Sequence, residues 1–136
     1  MTFNQEILAQ KAYDAMQMAY APYSKFQVGA CIQTEDGTLY CGSNIENASY
    51  GLTVCAERVA IFTMVAVGKK KIKALAVAGS TDDACVPCGA CRQVIREFAS
   101  MDTPIYMCNR HGKIIATMTL EEILPVSFGP EFLDNK

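Results

Sequence analysis

Ala74-Leu75-Ala76-Val77-Ala78-Gly79 is an almost wholly apolar run that begins shortly after Lys69-Lys70-Lys71 and ends at a polar segment. Such a run suits a central β-strand covered on both faces, so the chain must supply helices for two layers. Helical patterns lie on either side of it. Ile7, Leu8, Ala12, Ala15, Met16 and Ala19 make one apolar stripe over residues 5–20, with Thr2 to Gln5 resembling a capping box and Pro22 as the stop. A second helix is expected over residues 55–67, closed by Gly68, and a third over about 87–100, with Pro87 in its first turn. Phe26, Val28, Ala30 and Ile32 alternate with Gln27, Gly29, Cys31 and Gln33, and Asp36-Gly37 signals a hairpin into residues 38–42. Residues 104–108 and 114–118 read as strands whose connection is too short for a crossover, hence antiparallel. Thr119 and Glu122 can cap a last short helix ended by Pro125. The order α-β-β-α-β-α-β-β-α calls for a three-layer α/β/α fold around a mixed five-stranded sheet, in a single domain spanning residues 1–136.

Although 51% of the residues are hydrophobic, no uninterrupted apolar stretch reaches membrane-spanning length, so a soluble protein with no membrane partner is expected. Met1-Thr2-Phe3-Asn4-Gln5-Glu6 has neither the basic start nor the apolar stretch of a secretory signal, which points to the cytoplasm. In that compartment the seven cysteines read as metal ligands and buried thiols rather than disulfides. The net charge is −2, from 12 basic and 14 acidic residues, and no basic stripe with interleaved aromatics is present. A small-molecule substrate and no nucleic-acid partner are therefore expected. Lys69-Lys70-Lys71 reads as a solvated helix terminus that complements the helix dipole.

Two fragments carry the chemistry, Cys55-Ala56-Glu57-Arg58 and Pro87-Cys88-Gly89-Ala90-Cys91-Arg92. Both fall at expected helix starts, where the dipole favours thiolates, and cysteines three apart share one side of a turn. Soft sulfur ligands point to zinc. A closed structural site uses four protein ligands, whereas three thiolates beside a carboxylate leave one position for water and supply a base. Alone, Cys88-x-x-Cys91 also fits buried helix thiols or a redox pair, and Cys85 could in principle close the metal as a fourth ligand. Three thiolates outweigh the charge of the ion, so a cation should withdraw charge from sulfur. Arg58 is the candidate, with Arg92 as the second, although Arg92 could equally face an acidic neighbour. Cys31, Cys41 and Cys108 read as packed hydrophobes, and His111 as an exposed turn residue.

Three cysteines are an accepted ligand set for zinc deaminases, with a nearby glutamate moving protons. With Ala21-Pro22-Tyr23-Ser24-Lys25-Phe26-x-Val28-Gly29-Ala30, Asn44-Ile45-Glu46-Asn47-Ala48 and Leu124-Pro125-x-x-Phe128, the chain resembles the cytidine deaminase family, specifically its short, three-cysteine, homotetrameric branch. The resemblance spans nearly the whole sequence. It implies one zinc ion per subunit on Cys55, Cys88 and Cys91, with Glu57 as the catalytic proton carrier. The implied reaction is hydrolytic deamination of cytidine and 2′-deoxycytidine to uridine and 2′-deoxyuridine, releasing ammonia in pyrimidine salvage. It also implies that Asn44 and Glu46 bind ribose, where residues alone favour a turn-forming amide and a surface carboxylate. Phe26 would line the pyrimidine pocket, the backbone of Ala56 would read the base edge, and Phe128 would reach a neighbouring subunit's site. Tyr23 and Tyr50 would border the pocket. Deamination of a modified nucleoside such as blasticidin S, a zinc-stabilised module without turnover, and deamination within a nucleic acid are the alternatives. The Asn44 to Ala48 segment and Phe128 favour the ordinary nucleoside.

Overall fold

A computed structural model of the chain describes residues 4–133. Strands β1 (Val28–Thr34), β2 (Leu39–Ser43), β3 (Ile72–Gly79), β4 (Pro104–Cys108) and β5 (Ile114–Thr119) form one sheet in the order β2-β1-β3-β4-β5. Only β3 and β4 pair in parallel; the other neighbours are antiparallel. The sheet is mixed because a hairpin closes each end, while a crossover containing a helix joins β3 to β4.

Helices α1 (Gln5–Met16), α2 (Ala56–Ala66), α3 (Gly89–Phe98) and α4 (Leu120–Ile123) cover the two faces. The alternation in β3 assigns them. Leu75 and Val77 pack with Ala60, Ile61 and Met64 of α2, Ile95 of α3 and Ile123 of α4. Ala74, Ala76 and Ala78 face Leu8, Ala9, Ala12 and Met16 of α1. This alanine row lets α1 lie close to the sheet, and Gly29 of β1 completes the seat, since a Cβ there would fall 2.1 Å from the Ala12 carbonyl oxygen. Every position of β1 is buried, so its alternation separates two covered faces rather than core from solvent. The result is the expected three-layer α/β/α arrangement. None of the described helices is long and apolar enough to cross a membrane.

Several ends differ from the sequence reading. Helix α1 stops at Met16 rather than near residue 20, because Tyr20 leaves to pair with the segment after β2: its N–H donates to the Asn44 carbonyl (2.9 Å) and its carbonyl accepts from Glu46 N–H (2.9 Å). Thr2 of the expected capping box lies outside the described residues. Asn4 caps α1 instead, its side-chain oxygen accepting from the N–H groups of Glu6 and Ile7. Helix α3 begins at Gly89, not Pro87, and ends at Phe98, where Ala99 turns extended and bridges to Ile72. At the end of α2, Gly68 takes φ +89°, and Gly68 and Lys69 return hydrogen bonds to Val65 and Met64. Thr119 and Glu122 form the anticipated capping box on α4. Lys69 does more than face solvent, for its Nζ lies 2.9 Å from Asp36 across the β1–β2 turn.

Candidate active site

The first turns of α2 and α3 meet on the same face of the sheet. Cys55 and Cys88 are the N-cap residues of these helices, and Cys91 lies one turn into α3, its N–H donating to the Cys88 sulfur at 3.5 Å. The three Sγ atoms lie within 4.8 Å of one another, with Cys55 and Cys88 3.9 Å apart. Zinc–sulfur bonds of about 2.3 Å in a tetrahedron require sulfurs roughly 3.8 Å apart, so the donor set fits that ion. Cys85 is outside this trio. It is buried on the wall of the adjoining cavity, where burial pushes its thiol up to about 12.

The sulfurs hold their protons unequally. A hydrogen bond from the Cys91 thiol, followed by one from Arg58, draws Cys55 down to about 5. Cys91 is pushed up, first because its thiol proton is held in the hydrogen bond to Cys55 and then by burial. Arg58 Nη2 donates to Cys55 Sγ at 3.3 Å, and its Nε is buried without a hydrogen-bond partner. A guanidinium so placed suits three sulfurs made more basic by ionisation. Arg92 is directed elsewhere, donating to the carbonyls of Pro87 (2.8 Å) and Ile123 (2.7 Å), so it ties α4 to the start of α3.

Glu57, two residues past Cys55, is 3% exposed, and burial pushes its carboxyl up to about 7. It opens onto a cavity of about 240 Å³ whose wall also includes Phe26, Asn44, Glu46, Ala56 and Cys88. Asn44 holds the entry to β1: its Oδ1 accepts from Val28 N–H and its Nδ2 donates to the Phe26 carbonyl, each at 2.9 Å. Each group still has capacity for one more hydrogen bond. The Glu46 carboxylate accepts from Tyr23 N–H (2.9 Å), Ser24 N–H (3.1 Å) and the Ser24 hydroxyl, the last of which is chiefly responsible for holding its carboxyl below the ordinary range. Tyr23 and Tyr50 stand 6.0 Å apart by ring centroid and flank a second hollow that shares Ser24, Glu46 and Thr53 with the first.

Ser24, Thr53 and Val86 line the main cavity without having been singled out in the sequence. Pro22-Tyr23-Ser24-Lys25 does signal a turn, and Lys25 takes φ +62°, but nothing in the spacing says that the turn wraps around Glu46. Phe128 lies away from this cavity in its own chain, stacked on Phe132 at 5.3 Å. Cys41 corrects the expectation of a packed hydrophobe. It is exposed on β2, opposite buried Cys31, and the two sulfurs are in contact at 2.6 Å. Cys108 is buried and His111 exposed, as anticipated.

Residues 2–108 match the family model described as the cytidine and deoxycytidylate deaminase zinc-binding region. A cytidine deaminase of Sporosarcina psychrophila is 48% identical over 128 residues, covering 94% of this chain and 93% of that protein. One from Halalkalibacterium halodurans is 44% identical over 132 residues, 97% of this chain and 99% of that protein. The crystal structure of cytidine deaminase from Burkholderia pseudomallei superposes with a TM-score of 0.87 at 41% identity, covering 93% of this chain and 100% of that one. With matched sequence along almost its whole length, the same fold and a zinc-compatible cysteine trio, this chain belongs to the zinc-binding cytidine and deoxycytidylate deaminase family.

Proposed function

We propose that the protein hydrolyses the C4 amino group of cytidine and 2′-deoxycytidine, giving uridine and 2′-deoxyuridine with release of ammonia. The observation that carries this reading is the buried Glu57 carboxylate beside three convergent cysteine sulfurs, in a cavity also lined by Asn44 and Glu46. Cys55, Cys88 and Cys91 would hold one zinc ion per subunit. When bound, zinc lowers the pKa of a coordinated water toward about 7. Glu57 takes a proton from the water that attacks C4 and delivers it to N3. It then moves the second proton to the amino group, so that the C4–N bond breaks, ammonia leaves and a C4 carbonyl remains. The raised pKa of Glu57 suits a group that must accept and return protons near neutrality. Arg58 draws charge from the Cys55 sulfur.

Asn44 and Glu46 use their unspent hydrogen-bonding capacity on ribose hydroxyls, Phe26 packs on the pyrimidine, and the Ala56 backbone meets the base edge. The described lining includes two carboxylates, Glu46 and Glu57, and no lysine or arginine. That charge opposes a phosphate and selects nucleosides over nucleotides within a family that covers both. Phe128 and Phe132, both more than half exposed, form an apolar pair on the surface. We infer that it is covered in a homotetramer, where Phe128 closes a neighbouring subunit's pocket, and that the enzyme works in cytoplasmic pyrimidine salvage.

The test is ammonia release from cytidine by the purified zinc protein and by Glu57→Gln. A fall of about 10²–10⁴-fold or more is expected for the variant. Faster turnover of 2′-deoxycytidine 5′-monophosphate or blasticidin S than of cytidine would overturn the substrate assignment.

A further inference from the structure

Arg96 is 9% exposed, one of few charged residues buried in the described chain, and it lies far along α3 from the sulfur ligands. Four hydrogen bonds from its guanidinium all go to one short segment after α4. Nε donates to Ser127 Oγ (2.9 Å), Nη2 to the Ser127 carbonyl (3.3 Å), and Nη1 and Nη2 to the two carboxylate oxygens of Glu131 (3.1 and 2.5 Å). One turn earlier on α3, Gln93 Nε2 donates to the Phe128 carbonyl at 2.9 Å. Gly129 fits between them: a Cβ on it would lie 2.1 Å from Arg96 Nη1 and 2.3 Å from Cζ. Its backbone (φ −151°) is open to any residue, so what a side chain there would displace is the guanidinium and not a turn.

A largely buried arginine whose planar fork bonds both ends of one short segment fixes the direction of the residues between them more than it adds to the core. Phe128 lies between these two anchors, next to Ser127, and its own carbonyl is held by Gln93. We propose that Arg96 is a positioning residue for the deamination reaction, locking segment 127–131 onto α3 so that Phe128 is held ready for the pocket of an adjacent subunit. This rests on the reading that Phe128 closes a neighbour's site. Because α3 also carries Cys88 and Cys91, one rigid helix sets both a subunit's own sulfur ligands and the aromatic ring it lends. Binding of the base, rather than proton transfer at Glu57, is the step that depends on the clamp.

The experiment compares Phe128→Ala, Arg96→Gln, Gly129→Ala and the double variant Phe128→Ala/Arg96→Gln, measuring cytidine kcat, KM and zinc content. Gly129→Ala retains both charges and displaces only the guanidinium, which keeps the test decisive where Arg96→Gln folds poorly. The clamp predicts that Arg96→Gln and Gly129→Ala raise KM about 3–10-fold, the worth of one aromatic contact, with kcat within about twofold and zinc unchanged. Arg96→Gln should add nothing in the Phe128→Ala background. Wild-type KM in Phe128→Ala removes the reading of Phe128 and the clamp together. A raised KM in Phe128→Ala with wild-type KM in Arg96→Gln and Gly129→Ala removes the clamp alone, as does an Arg96→Gln effect that appears in kcat or zinc content or adds fully to Phe128→Ala.

Discussion

Glu57 and Arg58 are adjacent in sequence and opposite in environment, and that contrast sets what each can do. Glu57 is buried, so its proton affinity rises; Arg58 spends its charge on the Cys55 sulfur. Three thiolates would make a bound zinc ion a poor acid, and in the proposed reaction Arg58 offsets part of that charge. Arg58→Gln is therefore expected to lower cytidine kcat by about 10–100-fold while zinc remains bound. Wild-type turnover at full zinc occupancy would exclude the role. Glu46 illustrates a carboxylate tuned by hydrogen bonds. Its folded-state pKa lies below the ordinary 4.5, so the stability it contributes is complete above 4.5 and is lost as pH falls through the depressed value. Carboxyl NMR titration should give a Glu46 midpoint below 4.5 that moves back toward it in Ser24→Ala; a midpoint at or above 4.5 in the unsubstituted protein contradicts this account.

At the scale of elements, the helix starts do the chemical work and the sheet decides where they meet. Cys55 and Cys88 occupy N-cap positions, and the Cys88 sulfur accepts from the Cys91 N–H, one of the free donors of the first turn of α3. The seat of α1 is the most sharply defined contact on the opposite face. Gly29→Ala should destabilise the protein by about 1–3 kcal/mol through overpacking against Ala12 and Met16, seen as a lower thermal midpoint. An unchanged midpoint would mean that α1 moves away from β1 without cost. Strand positions and the closing signals at Gly68 and Thr119 were readable locally, because they depend on turn and cap chemistry within a few residues. The ends of α1 and α3 were not, because Tyr20 and Ala99 are drawn off by bridges to Ile45 and Ile72, which are remote in sequence.

For the whole molecule, two apolar clusters back the sheet on either face, and neither includes the trio's exposed sulfur of Cys88. Removal of zinc by a chelator should therefore abolish cytidine turnover while far-UV circular dichroism stays near that of the holoprotein, and added zinc should restore activity. Collapse of the helical signal on chelation would show that the metal supports the fold as well. The sequence by itself determined the Cys88-x-x-Cys91 pair, the carboxylate two residues past Cys55 and the layer order, since these follow from spacings within one helical turn and from periodicity along single elements, whereas the meeting of Cys55 with the other two depends on how α2 and α3 pack. Tertiary structure alone decided that Ser24 wraps around Glu46, that Arg92 ties α4 rather than sulfur, and that Arg96 grips the segment bearing Phe128. Those contacts join residues 22 to 35 positions apart, and no local pattern encodes a hydrogen bond whose partners are brought together only by the closing of the sheet.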